Sequence, residues 1–450
     1  MSHYKPYPAY KDSGVEWLDA IPDNWEISRL GFEAWVRARL GWKGLKAEEY
    51  VDDGYAFLST PDIKGTEIDF SDVNFITEER YEESPEIKLA VGDVLLAKDG
   101  STLGTVNVVR KLPRAATVNS SIAVITPFQR LTSLYLYYLF KCSYLENTIQ
   151  VLKGGMGVPH LFQWDINKFK IPLPGMLEQA EIAAHLDLET ARIDALIEKK
   201  TRFIELLREK RQALITHAVT KGLDPNVKMK DSGVEWLGEV PEHWKVKKLK
   251  YLLKPNGLVR GPFGGDLKKE IFVDDGVKVY EQKNAIYQSV ELGASFVTAE
   301  KFSEMLRFEV RPGDYIMSCS GTIGRTYRVP EGAPIGIINQ ALLIIRFDTG
   351  VSSEFADWIF VADFFVAQIL DNSQGGAMKN LVGMDIFTSI LLQLPPLDEQ
   401  RSIASYLLVE SKRIDSLIAK SERSVDLLKE RRSALITAAV TGQIDLREVV

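Results

Sequence analysis

The sequence predicts an α+β fold with an internal repeat, in which two long helices pair as an antiparallel coiled coil and separate two globular domains of mixed short strands and helices. Three observations support this prediction. A segment free of proline and glycine occurs twice, at 178–220 and 399–441. Each half of the chain opens with the same eight residues. Between these shared segments, short apolar runs bounded by glycine alternate with longer apolar stretches, which is typical of mixed strands and helices.

The two segments without proline or glycine each predict one unbroken helix. Their apolar residues recur at steps of three, four and seven, which is the spacing of a seam between two helices. At about 1.5 Å per residue each helix would be roughly 60 Å long and would need a partner along its apolar stripe. The predicted seam residues are Ile193, Ile197, Ile204, Leu207, Leu214, Ile414, Ile418, Val425, Leu428 and Leu435.

Polar residues interrupt this seam at matching positions of the two helices. Lys200 corresponds to Ser421, and Arg211 corresponds to Arg432. Such residues weaken the packing of a coiled coil but fix its register. We therefore expect the two helices to pair within the chain. Docking of each helix on its own domain, or pairing between two chains, is the alternative.

Each half begins with an opening block, Lys-Asp-Ser-Gly-Val-Glu-Trp-Leu, at 11–18 and 230–237. A proline and a second tryptophan follow each copy. Because tryptophan buries a large ring, we interpret these side chains as packing anchors of an extended segment rather than as base-stacking residues. The four tryptophans are Trp17, Trp25, Trp236 and Trp244.

The interiors of the two halves share little beyond a skeleton of turns and strands. In both, the predicted order is a Gly-Asp turn with a short strand, a glycine-bounded loop, a polar step into a buried strand, one helix and a closing strand. These segments lie at 92–96, 100–104, 119–125, 133–152 and 171–174 in the first half, and at 313–317, 321–324, 339–345, 354–370 and 392–396 in the second.

The composition is that of a globular protein. Hydrophobic residues make up 45% and charged residues 26% of the chain, and no apolar run reaches the roughly 18 residues of a membrane span. The first residues are polar, so we expect no signal peptide and a cytoplasmic location. Two cysteines, Cys142 and Cys319, are too few for a disulfide framework or a zinc site. The net charge of −7 argues mildly against nucleic-acid binding unless positive charge is concentrated locally.

The sequence contains no catalytic or cofactor motif. It has no phosphate-binding loop, no dinucleotide-binding glycine motif, no zinc-protease motif and no nucleophile elbow. The five histidines are scattered. These observations favour a binding protein over an enzyme. Two heads that differ inside and are held at a fixed separation suit a long double-stranded polymer, whose grooves recur about every 34 Å.

The order of the shared motifs closely resembles the specificity subunits of Type I restriction–modification enzymes. The motifs are Gly-Val-Glu-Trp-Leu with Pro-x-x-Trp, a variable domain, Leu-Pro with a following Glu-Gln, and a long helix ending in Ala-Leu-Ile-Thr. Two full copies in this order extend the resemblance over essentially the whole chain. They lie at 12–25, 173–220, 231–244 and 394–441.

This resemblance implies a non-catalytic DNA-recognition subunit. Each variable domain would be a target recognition domain that reads one half of a split, asymmetric site in double-stranded DNA, and the helix pair would set the spacing and dock two modification subunits. S-adenosylmethionine would bind to the modification subunits, and ATP and Mg to the restriction subunits, with no cofactor on this chain. The implied segments are a recognition domain at 1–175, a spacer helix at 176–220, a linker at 221–230, a recognition domain at 231–397, a spacer helix at 398–442 and a tail at 443–450.

Candidate DNA contacts are basic residues and polar residues on glycine-rich loops. Basic side chains neutralise phosphates without reading sequence, and five lysines without an intervening acid lie within 245–254. Polar side chains with paired donors and acceptors read base edges, although each could instead bond its own turn. The candidates are Lys98, Ser101, Thr102, Lys153, His160 and Gln163 in the first domain, and Lys248, Arg260, Lys268, Ser320, Thr322, Arg325, Lys379 and Asn380 in the second.

Two other functions remain compatible with the sequence. One is the specificity subunit of a related methyltransferase that lacks ATP-driven cleavage, which neighbouring genes would distinguish. The other is a coiled-coil adaptor that holds two protein ligands and binds no DNA. Salt separates this adaptor from a DNA-binding protein, because affinity for DNA falls steeply as salt rises whereas protein docking falls less.

Overall fold

The chain folds into two compact units. The first unit comprises Met1–Thr201 and Glu422–Val450, and the second comprises Arg202–Ser421. Each unit therefore includes part of both long helices, which the boundaries predicted from the sequence treat as separate segments. The computed structural model describes residues 4–40, 45–152, 159–234, 237–263, 265–371, 381 and 383–449.

Most elements up to the end of the first long helix are short. The strands are β1 (Tyr4–Lys5), β2 (Tyr10–Asp12), β3 (Ala20–Pro22), β4 (Glu26–Arg29), β5 (Ala34–Arg37), β6 (Tyr55–Leu58), β7 (Asn74–Ile76), β8 (Val94–Ala97), β9 (Val106–Val108), β10 (Ala116–Val118), β11 (Ile122–Pro127) and β12 (Lys170–Leu173). The helices are α1 (Leu30–Glu33), α2 (Glu78–Glu82), α3 (Ser133–Phe140), α4 (Ser143–Leu152), α5 (Gln163–Ile166) and the long α6 (Met176–Lys221).

The rest of the chain repeats this pattern. The strands are β13 (Met229–Asp231), β14 (Glu239–Pro241), β15 (Lys245–Lys248), β16 (Leu253–Arg260), β17 (Val277–Tyr280), β18 (Phe296–Val297), β19 (Glu309–Val310), β20 (Tyr315–Ser318), β21 (Thr326–Arg328), β22 (Gly336–Ile338), β23 (Leu342–Phe347), β24 (Leu391–Leu394) and β25 (Asp445–Val449). The helices are α7 (Gln282–Ile286), α8 (Ala299–Glu304), α9 (Ser353–Ile359), α10 (Asp363–Asp371), α11 (Met384–Ser389) and the long α12 (Leu397–Val440).

The first unit is organised around an antiparallel sheet in the order β5-β11-β8-β9. Successive residues of a strand point to opposite faces of a sheet. Along β8, Val94 and Leu96 face a core that includes α3 and α4, whereas Leu95 and Ala97 face a second core. That second core also includes residues of the sheet β10-β6-β7, in which β10 and β6 are parallel. Because both faces of the sheet are covered, β8 is continuously apolar.

The second unit has the same architecture. Its antiparallel sheet runs β16-β23-β20-β21, and a sheet in the order β18-β17-β22-β19 contains the parallel pair β17 and β22. Tyr315 and Met317 of β20 face one core, whereas Ile316 faces another. The predicted α+β class with an internal repeat is therefore confirmed in both units.

In the first unit the long helices run antiparallel. Asp194 of α6 pairs with Arg432 of α12, with 2.9 Å between carboxylate oxygen and guanidinium nitrogen. Glu178, in the first turn of α6, lies 3.8 Å from Arg447, which follows the end of α12. The start of one helix therefore lies beside the end of the other.

The second unit contains the equivalent antiparallel pairing. Arg211 of α6 pairs with Asp415 of α12 at 2.9 Å. Gly222, just past the end of α6, lies beside Glu399 in the first turn of α12, because a Cβ added to this glycine would be 3.4 Å from a carboxylate oxygen of Glu399. The end of α6 therefore lies beside the start of α12. The arginines that interrupt the predicted seam thus hold specific ion pairs, as expected of residues that fix register.

The predicted seam residues are buried or half-buried. In the first unit Ile193 and Leu435 belong to the core and Ile197 and Leu428 pack against it. Of the ten predicted seam residues, Ile193, Ile204, Leu207, Ile414, Val425 and Leu435 are buried, and Ile197, Leu214, Ile418 and Leu428 are half-buried.

No helix among the described residues is both long enough and apolar enough to cross a membrane.

The single helix predicted before the closing strand of each half is wrong, because two helices occupy each position. In the first unit, the N–H of Ser143 at the start of α4 donates to Oγ1 of Thr437 at 3.0 Å. In the second, the N–H of Asp363 at the start of α10 donates to Oγ1 of Thr216 at 3.3 Å. These hydroxyls satisfy N–H groups that a helix start leaves free. They come from the ends of the long helices, so no local sequence signal reports them.

The glutamine of each Glu-Gln pair is fully buried at the start of a long helix. The side-chain amide of Gln179 accepts from the N–H of Thr132 at 2.8 Å and donates to the carbonyls of Arg130 at 2.8 Å and Pro174 at 2.9 Å. It therefore ties α6 to the loop before α3. The side chain of Gln400 makes the corresponding three bonds to Ser352, Gly350 and Pro395.

The second tryptophan of each opening block is a packing anchor, as predicted. Trp25 and Trp244 are fully buried, and the indole N–H of Trp244 donates to Glu399 at 3.1 Å. Trp17 is instead 41% exposed and stacks on Tyr144. Trp236 lies outside the described residues.

Candidate nucleic-acid interface

In the first unit, the loop after β8 and the segment before α5 are joined by backbone hydrogen bonds. The N–H of Leu161 donates to the carbonyl of Lys98 at 2.8 Å, and the N–H of Gly100 donates to that of Pro159 at 3.0 Å. Two loops that the sequence predicted separately therefore form one surface. The predicted residues on it are Lys98, Ser101, Thr102, His160 and Gln163, whereas Lys153 lies outside the described residues.

This surface also contains an acidic residue, Asp99, that was not among the predicted contacts. A carboxylate oxygen of Asp99 lies 2.7 Å from the ammonium of Lys98, and the other oxygen contacts Nδ1 of His160. Because Asp99 offsets the charge of Lys98, this lysine is a weaker phosphate ligand than an unpaired one. Ser101 is exposed and Gln163 half-buried, so their polar groups can reach a base edge.

The second unit presents the same backbone frame with other side chains. The N–H of Leu381 donates to the carbonyl of Cys319 at 2.8 Å, as Leu161 does to Lys98. Burial raises the pKa of the Cys319 thiol to about 12, and the positive charge of Arg260 opposes this shift. Arg260, at the end of β16, pairs with Leu343 of β23, which on its other side pairs with Met317 of β20, just before the loop that carries the predicted residues Ser320, Thr322 and Arg325.

A short helix holds this loop in place. The side-chain amide of Gln282, the first residue of α7, donates to the carbonyls of Ser320 and Thr322. The N–H of Arg325 donates to the hydroxyl of Ser318 at 3.0 Å. The side chains of Thr322 and Arg325 remain exposed. Gln282 is not predictable from the sequence as part of this site, because nothing in its local sequence connects it to a loop so far along the chain.

The other predicted residues of the second unit are more dispersed. Lys248 is exposed at the end of β15, a strand that pairs with β24 and precedes β16, whereas Arg260 lies at the far end of β16. Lys268 is exposed in the loop after β16, near Phe263, whose side chain is 88% exposed. The structure thus groups Arg260 with the Ser320 loop and keeps Lys248 apart. Lys379 and Asn380 lie outside the described residues.

A duplicated asparagine turn supports both surfaces. Oδ1 of Asn119 accepts from the N–H of Ser121 at 3.1 Å, and Oδ1 of Asn339 accepts from the N–H of Ala341 at 3.0 Å. In the second unit a Cβ on Gly261 would lie 1.9 Å from the carbonyl oxygen of Asn339, so glycine is required at this close approach. The two surfaces therefore share their backbone support but expose different side chains.

The chemistry available at these surfaces is that of binding. Hydroxyls, amides and guanidinium groups are exposed at the ends of rigid strands, where they can donate to and accept from a polar partner. Among the residues that the structure describes, no group of three His, Cys, Asp or Glu side chains is arranged to hold a metal ion.

Comparison with known proteins gives a family match in the first half of the chain. Residues 22–206 match the family model described as the Type I restriction modification DNA specificity domain. The chain is also similar to the MjaVIII Type I restriction enzyme specificity subunit of Methanocaldococcus jannaschii, with 23% identity over 449 residues that cover 95% of each protein.

Two solved structures share the fold. A chain from a structural study of complex assembly and conformational transition in the type I R-M system has a TM-score of 0.72 at 16% identity, covering 94% of this chain and 99% of that one. The HsdS subunit from Thermoanaerobacter tengcongensis has a TM-score of 0.54 at 16% identity, covering 94% of this chain and 98% of that subunit.

Proposed function

Because the chain belongs to the DNA specificity subunits of Type I restriction–modification systems, we propose that each of its two units reads one half of a split DNA site. The first unit reads its half through the surface around Ser101 and Gln163. The second unit reads the other half through the surface around Thr322 and Arg325. Base edges in the major groove offer the donors and acceptors that such side chains recognise.

One observation carries this proposal: the two units repeat the same backbone frame but expose different side chains from it. Leu161 and Leu381 make equivalent bonds to the loops that follow β8 and β20. On those loops, however, Lys98 corresponds to the buried Cys319. A shared frame with different contacts is what the recognition of two unlike half-sites requires.

The repeated parts of the chain suit partners that occur twice. The paired helices carry matching segments, and we propose that they set the gap between the half-sites and dock two modification subunits. Those subunits would bind S-adenosylmethionine and methylate adenine, and restriction subunits would supply ATP- and Mg-dependent cleavage. This chain then contributes recognition and no catalytic step. The assembled complex would act in the cytoplasm.

The experiment that tests the proposal is methylome sequencing of a host that expresses this chain with its modification subunit. The expected result is methylation at one bipartite sequence. An Arg325→Ala variant should relax the bases read by the second unit and leave the other half-site unchanged, because a base contact is worth roughly 1 to 3 kcal/mol of discrimination.

Arg311→Ala is the matched control, since this exposed arginine pairs with Glu309 outside the loop. It should leave the methylated sequence unchanged. Equal relaxation of both half-sites by Arg325→Ala would show that this residue supports the fold rather than reads DNA. Methylation without any sequence preference would contradict the proposed function itself.

A further inference from the structure

Two exposed aromatic side chains stand beside the recognition surface of the first unit. Phe162 is 47% exposed and Trp164 is 56% exposed. Their ring centres lie 6.0 Å apart, with 29° between the ring planes. Exposing apolar surface of this size in water is unfavourable. Paired exposed rings next to a polar recognition surface indicate a contact with a ligand that has an apolar part.

Backbone bonds fix these rings relative to the loop that carries Ser101. Leu161, which precedes Phe162, is bonded to Lys98. The carbonyl of Phe162 accepts from the N–H of Asp165 at 3.0 Å, at the start of α5. The rings therefore belong to the same rigid surface as the predicted base-reading residues.

The neighbours of the rings decide what kind of contact they can make. The ammonium of Lys168 lies 3.9 Å from the centre of the Trp164 ring, and the ring of His160 meets that of Phe162 at 76° with 4.4 Å between centres. A base could stack on the indole face beside Lys168 only by displacing this ammonium. The remaining exposed surface of the two rings can receive a small apolar group, which does not need the indole face that Lys168 covers.

The second unit lacks this pair. Leu381 corresponds to Leu161 by its backbone bond, and the third residue after it, Met384, occupies the position of Trp164. Met384 packs against the core of its unit instead of standing exposed. The aromatic pair is therefore a feature of one recognition surface, as expected of a contact to one half-site.

We propose that Phe162 and Trp164 contact the C5-methyl group of a thymine in the half-site read by the first unit, an inference that rests on the proposed DNA-reading function. This methyl is the apolar group that a base pair displays in the major groove, and aromatic side chains contact it there. The contact would select an A·T pair without any hydrogen bond from the rings. Lys168 would remain over the indole, close enough to the duplex to favour its negative charge.

Uracil substitution tests this contact without changing the protein. The full chain, in complex with its modification subunit, is measured for binding to its methylome-defined site, with the thymines of each half-site replaced by uracil in turn. Loss of one buried methyl should weaken binding about threefold to sixfold. The loss should occur in the half-site read by the first unit, and Trp164→Ser should abolish the preference for thymine there. Trp35→Ser, which removes another exposed ring of the first unit, should retain it.

Four results would overturn the inference. The first three are a first half-site without thymine on either strand, equal affinity for thymine and uracil, and a thymine preference that persists unchanged in Trp164→Ser. Increased fluorescence of 2-aminopurine in that half-site, lost in Trp164→Ser, would also overturn it, because it would show that the rings unstack bases. In each of these cases the complex still binds its site. Binding with no preference for the methylated sequence over scrambled DNA would instead contradict the proposed function.

Discussion

At the scale of single residues, Lys141 is a lysine whose charged form is disfavoured by its partly buried position. Burial lowers the pKa of this lysine to about 8, and the nearby positive charge of Arg432 adds to the effect. Its ammonium donates to the hydroxyl of Tyr137 and lies 4.3 Å from the centre of that ring. The fold keeps the lysine at the break between α3 and α4, where an apolar side chain would be better accommodated.

We expect Lys141→Met to raise the free energy of unfolding at pH 7 by roughly 1 to 2 kcal/mol. Below the folded pKa the lysine is charged in both states, so the native protein carries the full cost of burial. As the pH rises from about 8 toward the ordinary value of 10.5, the folded chain loses its proton first and the wild type gains stability. The advantage of the variant should therefore shrink by pH 10.

Urea unfolding at pH 7 and pH 10 measures this effect. Lys199→Met is the control, because this lysine is exposed on α6, and it should change stability little at either pH. A Lys141→Met protein that is less stable than the wild type at pH 7 would show that the contact with Tyr137 outweighs the cost of burial.

At the scale of elements, each long helix is fixed at its start by a buried glutamine and has a hydroxyl near its end that caps another helix. Gln179 holds the start of α6 in the first unit, and Thr216 of the same helix caps α10 in the second. In reverse, Gln400 holds the start of α12 in the second unit, and Thr437 caps α4 in the first. The motifs repeated in the sequence are therefore the attachment points of the helices.

Replacing Gln179 by leucine should lower the free energy of unfolding by about 2 to 3 kcal/mol, because three buried or part-buried backbone groups lose their partners at about 1 kcal/mol each. Gln400→Leu should have a similar effect. Gln212→Leu is the matched control on α6, since its one bond, to the carbonyl of Val361 at 2.9 Å, is exposed to solvent. Urea unfolding should show less than about 1 kcal/mol for the control. A Gln179→Leu protein as stable as the control would show that the hydrogen bonds of Gln179 do not stabilise the fold.

At the scale of the whole molecule, the first unit is not a continuous stretch of chain, whereas the second unit is. The first unit takes Met1–Thr201 and then Glu422–Val450, and β25 near the C-terminus pairs with β1 near the N-terminus. Each unit is completed by the final part of a helix that begins in the other. The proposed recognition surfaces therefore depend on helices that both units share.

If the helices set the gap between half-sites, as proposed, lengthening them should lengthen the gap. Four residues inserted after Thr201, with a matching four after Glu422, add about one turn and roughly 6 Å to each helix. The methylated sequence should keep both half-sites and gain one or two base pairs between them, as read by methylome sequencing. The same insertion after Asn226, outside both helices, should leave the gap unchanged. An unchanged gap in the lengthened protein would show that the helices do not set the spacing.

The sequence by itself determined the elements whose signals are local. The absence of proline and glycine and the regular apolar spacing were sufficient for α6 and α12, and the repeated Gly-Asp turns were sufficient for β8 and β20. The grouping of Ser101 with Gln163 was not available from the sequence, because it depends on a backbone bond between Leu161 and Lys98.

Only the tertiary structure decided which distant residues meet. Asp93 and Asp314 occupy the same repeated turn, yet Asp93 pairs with Arg37 of β5 and Asp314 pairs with Arg346 of β23. The arginine lies on a different strand in each unit, but each buried aspartate has a positively charged neighbour, because a buried charge requires a partner. The aromatic pair at Phe162 is a similar case, since its exposure depends on how the surrounding segments pack. Periodicity records which face of an element is apolar, but a contact between distant segments exists only once the chain has folded.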